Sequence, residues 1–473
     1  MKLKDIIFAL TDQETSPMDV RISGAVIDSR KAVEGSLFIA LPGEKLDGHD
    51  YVQAAFNNGA QLALIDHAIG GDCNILDLRK HKFSTNKIDQ TLPLCLRVDN
   101  TLTALQTLAT FRRKQHPIRT IGITGSVGKT STKELTATLL SQKFNVLKNP
   151  GNRNNEIGLP LTLLGLEKHH ERAILEMGFY VPGEIQTLCE ISQPHVGVVT
   201  NIGIVHAERA GSQETIARGK AELIESLPPA PEGTAILNMD DPWVRGMVEK
   251  TKAHCLTYGI FEHADLTADE IETLGLDGIS CSLHYQGKDY PVSSPLLGKF
   301  SVYTILRATA VALTEGLDWE TITSTLAESH MDLRMRPITL KNGATILDDT
   351  YNASPASTIA ALQLLGGLSG RRVAILGDML ELGQYEESGH NSVGKTAASV
   401  ADVLLLVGER SKITAKAAIE NGFDMSQLKW YPDAHQAAQP VAHLIQKGDV
   451  VLIKGSNSMR MNTILDALKG NAS

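Results

Sequence analysis

Short apolar runs recur along this chain, and most of them end in Gly, Asp or Asn. In the first hundred residues AVIDS, SLFIAL and QLALID alternate with helical stretches such as YVQAAFNNGA, which predicts a small α/β unit. The segment VDNTLTALQTLATFRRKQHPIRT then predicts a connecting helix that leads into a strand. From there to about residue 330 come AILEMG (173–178), VGVVTNIG (196–203) and TAILNMDD (234–241). Runs that are apolar throughout suit parallel strands buried on both faces. The polar residues at their ends stand where open α/β sheets place ligands. After about residue 334 the pattern restarts with ATILDD, RRVAILGDM, ADVLLLVG and DVVLIKGS, separated by amphipathic stretches. The expected fold is three-domain α/β: a small N-terminal domain (1–100), a central parallel-sheet domain (101–330) and a Rossmann-like C-terminal domain (331–473). A length of 473 residues fits about three domains.

One loop between strand and helix carries chemistry. The stretch IGITGSVGKTST (121–132) breaks at Gly125, and Gly128-Lys129-Thr130 opens a helix-forming segment. Strand, glycine loop, Lys, hydroxyl and helix is the order of a P-loop. Backbone N–H groups and the helix start hold phosphates, the Lys reaches the β/γ oxygens, and the hydroxyl meets Mg²⁺. Strict GxxxxGK spacing requires Gly at 123, where this chain has Ile123; a glycine turn before an ordinary helix stays open as the alternative. The third unit has no such loop. Two α/β domains, one with the loop and one without, suggest a cleft that closes on substrate.

Composition narrows the partners. A formal charge of −9, with no Lys/Arg run, argues against nucleic acid. The five Cys show no CxxC spacing and read as scattered reduced thiols, neither a zinc site nor a nucleophile. The N-terminus turns polar too soon for a secretory segment, and no apolar stretch approaches the ~18 residues that span a bilayer. A cytoplasmic chain without membrane insertion is expected.

Glu176 ends one strand and His206 follows another; a carboxylate at a neighbouring strand tip is the usual second contact for Mg²⁺ in a P-loop fold. Taken alone, Glu176 is equally at home on a surface loop, and a His near a strand end is more often a plain surface or hydrogen-bonded residue. Lys220 lies on a helical stretch, where a solvated Lys is the default. Asn86–Asp89 spells NKID, a guanine-reading tetrapeptide, but it precedes the phosphate loop and has no apolar strand before it. A chance loop sequence accounts for it better.

Thr124-Gly125-Ser126-Val127-Gly128-Lys129-Thr130-Ser131 resembles the ATP loop of the muramyl (Mur) ligases, which read TGxxGKT[ST] and need no glycine at 123. IDSRKAVEGSLFIALPGEKLDGHDYVQAA (27–55) is similar to that family's uridine-nucleotide segment. NPGNRNNEIGLPLTLL (149–164), DDTYNASPAS (348–357), ILGDMLELG (375–383) and VLIKGSNSMRMN (451–462) are similar to one branch. That branch adds D-alanyl-D-alanine to UDP-N-acetylmuramoyl-tripeptide during peptidoglycan synthesis, and so serves cell-wall biogenesis, cell shape and division. The resemblance implies ATP-driven amide formation: the tripeptide carboxylate takes the γ-phosphoryl group, and the dipeptide amine then displaces phosphate. It implies that Lys129 steadies the phosphates and that two Mg²⁺ are held by Thr130, Glu176, His206 and a Lys220 carbamylated by CO₂. It places Asn152, Asn154, Asn155 and Asn352 toward substrate, and Arg334 and Asp349 toward the γ-phosphate and ribose. Asp28, Ser29 and Arg30 are expected at the uridine diphosphate end, and a monomer is expected.

The chain departs from the family in two places. Where the pattern reads G-[KR]-H-N-x-x-N, this chain has GKFSVYT (298–304), so Phe300 stands for the His, with stacking on the adenine as its expected role. Ser354 stands for Asn in YNANP. The competing readings are a folylpolyglutamate-type ligase, against which the DSRKAVEGSLF segment counts, and a non-enzymatic nucleotide switch. A switch leaves the Glu176, His206 and Lys220 set without purpose.

Overall fold

Three sheets account for the apolar runs. The structure is a computed structural model, and it describes residues 1–14, 20–70, 73–79, 92–205, 207–329 and 335–470. Strands β1 (Gly24–Val26), β2 (Ser36–Ile39), β3 (Ala60–Ile65), β4 (Asn74–Asp77) and β5 (Leu94–Arg97) form a sheet in the order β1-β2-β3-β5-β4. All its pairings are parallel.

The second sheet has nine strands: β6 (Arg119–Thr124), β7 (Val146–Lys148), β8 (Arg172–Glu176), β9 (Val196–Val199), β10 (Thr234–Asn238), β11 (His254–Gly259), β12 (Leu266–Thr273), β13 (Ile279–Tyr285) and β14 (Lys288–Ser294). Their order is β14-β13-β12-β11-β10-β9-β6-β8-β7. The phosphate-loop strand is therefore central, with β9 on one side and β8 on the other. One difference from the sequence expectation is the edge: β12, β13 and β14 pair antiparallel. In β13 buried and partly exposed residues alternate, as an antiparallel strand with one open face requires.

The third sheet is the Rossmann-like one: β15 (Arg336–Thr339), β16 (Thr345–Asp349), β17 (Arg371–Gly377), β18 (Val403–Val407), β19 (Leu428–Tyr431) and β20 (Asp449–Lys454), in the order β15-β16-β20-β17-β18-β19. Only β15 runs antiparallel. Successive residues of β17 face opposite cores: Val373 and Ile375 join one apolar cluster, Ala374 and Leu376 the other. Helices cover both faces, which is why the strands read as unbroken apolar runs.

By internal contacts the chain forms two compact units. One comprises Met1–Ile121, Phe144–Gly178 and Glu184–Pro194; the other comprises Gly122–Lys143, Phe179–Gly183 and His195–Ser473. In the first, the connecting helix is Thr101–Lys114, and its buried Arg113 ties β6 in place. The guanidinium donates to Thr120 Oγ1 at 3.0 Å and to the carbonyls of Ser192, His116 and Ile118 at 2.9, 3.1 and 3.1 Å. Hydrogen bonding to several carbonyls is what lets a charged group sit inside a protein.

The cysteines are less scattered than the sequence suggests: Cys73 Sγ lies 3.2 Å from Cys95 Sγ, and all five are free thiols. Burial pushes the Cys95 thiol well up from its ordinary range. The NKID tetrapeptide lies outside the described residues. Among the described residues no helix is long and apolar enough to cross a membrane.

Candidate nucleotide and ligase site

The phosphate loop is built by β6, the turn 125–128 and the helix Lys129–Leu140. Gly125 sits at φ +140°, and a Cβ there would meet Thr200 Oγ1 at 1.8 Å; Gly128, at φ +86°, caps the helix in the left-handed region. Neither position accepts a side chain. The turn is held from β9. Thr200 N–H donates to Thr124 O at 2.9 Å and Thr200 Oγ1 to Val127 O at 2.7 Å. Ser126 N–H donates to Asn201 O and Val127 N–H to Asn201 Oδ1, both at 2.9 Å. Gly203 N–H donates to Ser126 Oγ at 2.8 Å. Thr130 and Ser131 open the helix, half-buried. Lys129 Nζ arches back over the loop and donates to Gly125 O at 2.8 Å and Ser126 O at 3.4 Å.

Lys220 overturns its bland expectation. It lies on the helix Gln213–Glu225 as foreseen, yet it is only 2 % exposed. Its Nζ donates to Gly125 O at 3.1 Å and stands 4.8 Å from the Phe179 ring centroid. A lysine buried against the phosphate loop's own carbonyl is not a solvated surface residue.

In the other unit Glu176 ends β8, 2 % exposed. Asn149 fixes its backbone: Asn149 Oδ1 accepts from Glu176 N–H and Asn149 Nδ2 donates to Glu176 O, each at 2.9 Å. Asn154 Nδ2 donates to Glu176 Oε1 at 2.9 Å. The asparagine-rich loop thus divides its labour. Asn154 orients a carboxylate, and Asn155 Oδ1 caps the helix Gly158–Leu164 by accepting from Gly158 N–H at 2.9 Å. Asn152 is exposed.

In the C-terminal sheet Asp349 ends β16, and its Oδ2 lies 2.5 Å from Nζ of Lys454, itself 2 % exposed. Lys454 also donates to Asn352 O at 2.8 Å, so one buried cation fixes both expected ligand-facing residues. Ser354 is the N-cap of the helix Pro355–Gly366, accepting from Ser357 N–H, with Pro355 at the first helical position. Ser and Asn are both good N-caps, which explains why YNASP can replace YNANP. Phe300 is 52 % exposed at the start of the helix Ser301–Thr314. With Phe261, Tyr303, Leu364 and Leu368 it lines a cavity of about 440 Å³. Tyr303 Oη donates to Asp240 Oδ2 at 2.8 Å, and burial, then this bond, raises its pKa.

At the N-terminal end, the half-buried Asp28 pairs with the exposed Arg30 at 2.9 Å, while Ser29 is buried. The Arg30 hydrogen bond lowers the Asp28 carboxyl to about 2. Nearby, Asp47, His49 and His67 cluster with Asp66. His49 Nδ1 faces Asp47 Oδ1 at 2.6 Å and its Nε2 accepts from Asp66 N–H at 3.1 Å. Both ring nitrogens are engaged, so His49 ties the 47–49 turn to the end of β3. His206 and Arg334 lie outside the described residues. The sequence reading missed Asn149, Thr200, Asn201, Lys454 and Arg307, all of which hold functional groups in place.

A glycine-turned strand–loop–helix of P-loop form at the centre of a mostly parallel sheet, followed by a Rossmann-like sheet, defines a P-loop-type α/β protein. Residues 123–312 match the Mur ligase middle domain, 333–457 the "Mur ligase, glutamate ligase domain" and 21–112 the "Mur ligase family, catalytic domain". The chain is 36% identical over 455 residues to a UDP-N-acetylmuramoyl-tripeptide--D-alanyl-D-alanine ligase of Synechocystis sp., covering 95% of this chain and 92% of that one. It is 33% identical to the Bacillus subtilis enzyme of that name, covering 94% and 93%. Among solved structures, MurF from Acinetobacter baumannii superposes with a TM-score of 0.85 at 30% identity, covering 99% and 98%. MurF ligase from Thermotoga maritima in complex with ADP gives 0.80 at 27%, covering 96% and 99%. This chain belongs to the Mur ligase family.

Proposed function

We propose that this chain is an ATP-dependent amide ligase that joins D-alanyl-D-alanine to UDP-N-acetylmuramoyl-tripeptide, making a peptidoglycan precursor in the cytoplasm as a monomer. The observation that carries this reading is the phosphate loop, whose Thr124, Ser126 and Val127 are held by Thr200 and Asn201 just after β9, in a chain similar over nearly its whole length to ligases of that name. The tripeptide carboxylate attacks the γ-phosphorus of ATP, and ADP leaves. The dipeptide amine then attacks the acyl carbon, phosphate leaves, and the amine proton is lost as the amide forms. Such transfer is mostly positioning and charge neutralisation.

Lys129 swings from its loop carbonyls to the β/γ oxygens. Glu176 is a carboxylate held in one orientation by Asn149 and Asn154, the fixed hard oxygen donor that Mg²⁺ takes. Thr130 and Glu176 would hold one Mg²⁺, and His206 with a carbamylated Lys220 a second; these ions would screen the approach of carboxylate to phosphate. Arg334 and Asp349 serve the γ-phosphate and ribose, Asn152, Asn155 and Asn352 face substrate, and Asp28, Ser29 and Arg30 meet the uridine diphosphate. Incubating the protein with ATP and both substrates is expected to give the UDP-linked pentapeptide by mass spectrometry; its absence contradicts the assignment.

The adenine pocket gives a separate prediction. The cavity beside Phe300 offers aromatic faces, and the Tyr303 hydroxyl is already committed to Asp240. Stacking tolerates any purine, whereas strong rejection needs hydrogen-bond readers. The kcat/KM ratio for ATP over GTP is expected to stay within about tenfold. A preference of thousands would show that other groups read the amino position.

A further inference from the structure

A buried arginine stands directly behind the phosphate loop. Arg307, on the helix Ser301–Thr314, is only 3 % exposed. Its Nε donates to Thr132 Oγ1 at 2.8 Å and Nη2 to Thr304 Oγ1 at 3.1 Å. Thr132 Oγ1 passes the contact on, donating to Gly128 O at 2.8 Å. Gly128 comes so close that a Cβ there would lie 2.8 Å from Arg307 Nη2. On the other side the guanidinium lies beside the buried Tyr258, whose hydroxyl reaches Val199 O and Thr200 O at 3.4 and 3.3 Å. Thr200 is the residue that grips the turn at Thr124 and Val127. One side chain is thus bonded through Thr132 to the Gly128 shoulder of the loop and stands beside the tyrosine that bonds Thr200.

Among the described residues its charge has no ion-pair partner. The side-chain hydrogen-bond partners of Arg307 among them are the hydroxyls of Thr132 and Thr304, and none is a carboxylate. An uncompensated buried cation costs free energy, which an anion arriving within a few ångströms offsets. The loop it backs is the one that receives phosphates.

We infer that Arg307 is a positioning residue for the nucleotide phosphates: it braces the loop through Thr132 and supplies positive potential from behind Gly128. This rests on the nucleotide-loop reading above and adds a residue that the loop motif does not contain. Phe300 and Arg307 are seven residues apart on one helix, hence on the same face and about 10 Å apart along its axis. The helix therefore runs from the aromatic cavity to the phosphate loop.

The test is calorimetric binding of adenosine, ADP and a non-hydrolysable ATP analogue to the wild type, Arg307→Met, Arg307→Lys and Lys129→Ala, each checked for folding by circular dichroism. Arg307→Met is expected to weaken ADP and the analogue by about tenfold or more while adenosine is unchanged. Arg307→Lys should recover part of the loss, and the loss should shrink at high salt. Unchanged binding, or equal weakening of all three ligands, would reduce Arg307 to a packing strut and overturn the inference. If Arg307→Met does not fold, Arg307→Gln, which retains donors without the charge, carries the same comparison with the same two outcomes. Lys129→Ala separates the two claims. Phosphate-dependent affinity retained there contradicts the nucleotide loop itself; lost there but kept in Arg307→Met, it contradicts only the role of Arg307.

Discussion

Lys129→Ala is expected to lower turnover by roughly two to three orders of magnitude while leaving the fold intact. Lys129 is half-buried and donates to the loop carbonyls Gly125 O and Ser126 O at 2.8 and 3.4 Å. The turn itself is held by Thr200 and Asn201 and does not depend on this ammonium. Removing it therefore takes away a charge-matched phosphate contact and little of the scaffold. Thermal melting alongside steady-state kinetics checks both halves. Near-normal turnover in a folded Lys129→Ala protein would sink the P-loop assignment.

Lys220→Ala is expected to abolish most activity, and small carboxylic acids such as acetate to restore part of it. Lys220 is buried with its Nζ on Gly125 O, 3.1 Å away. A permanent cation there would oppose Mg²⁺ bound at the triphosphate, whereas a carbamate offers oxygen ligands. In the proposed carbamylation the ammonium first loses a proton, and the neutral amine then bonds to the carbon of CO₂ and loses a second, so that a positive group would become a negative one. Removing dissolved CO₂ should slow the wild type, with bicarbonate reversing the effect. If the variant keeps its activity, or responds to acetate no more than the wild type does, Lys220 only packs against Phe179.

What could be read from the sequence was what chemistry keeps local. Gly125, Gly128 and Lys129 fall within five residues, and each answers to a constraint of the turn itself: a positive φ, a Cβ clash, a phosphate charge. The apolar runs gave β8, β9, β10 and the C-terminal strands because burial on both faces leaves no polar alternation. The β12–β14 edge was missed although β13, ISCSLHY, alternates at period two; its polar residues hid it among loops. Lys220 looked solvated because helix periodicity does not say what stands opposite. Its burial follows from β6 and the turn that ends it, 95 residues earlier. Arg307 is further still, 175 residues from Thr132, and nothing nearby in the sequence marks it. Asn149 was read only as part of a loop motif, whereas its amide fixes the backbone of Glu176 from both sides.

The central claim is that ATP cleavage here is tied to making one particular amide. The measurement that tests it most directly is phosphate release across a panel of UDP-muramyl peptides and D-amino-acid dipeptides, with each substrate also supplied alone. Fast release is predicted only when UDP-N-acetylmuramoyl-tripeptide and D-alanyl-D-alanine are both present, apart from slow loss of the acyl phosphate to water. Fast release with neither substrate, or no release with the pair, would contradict it.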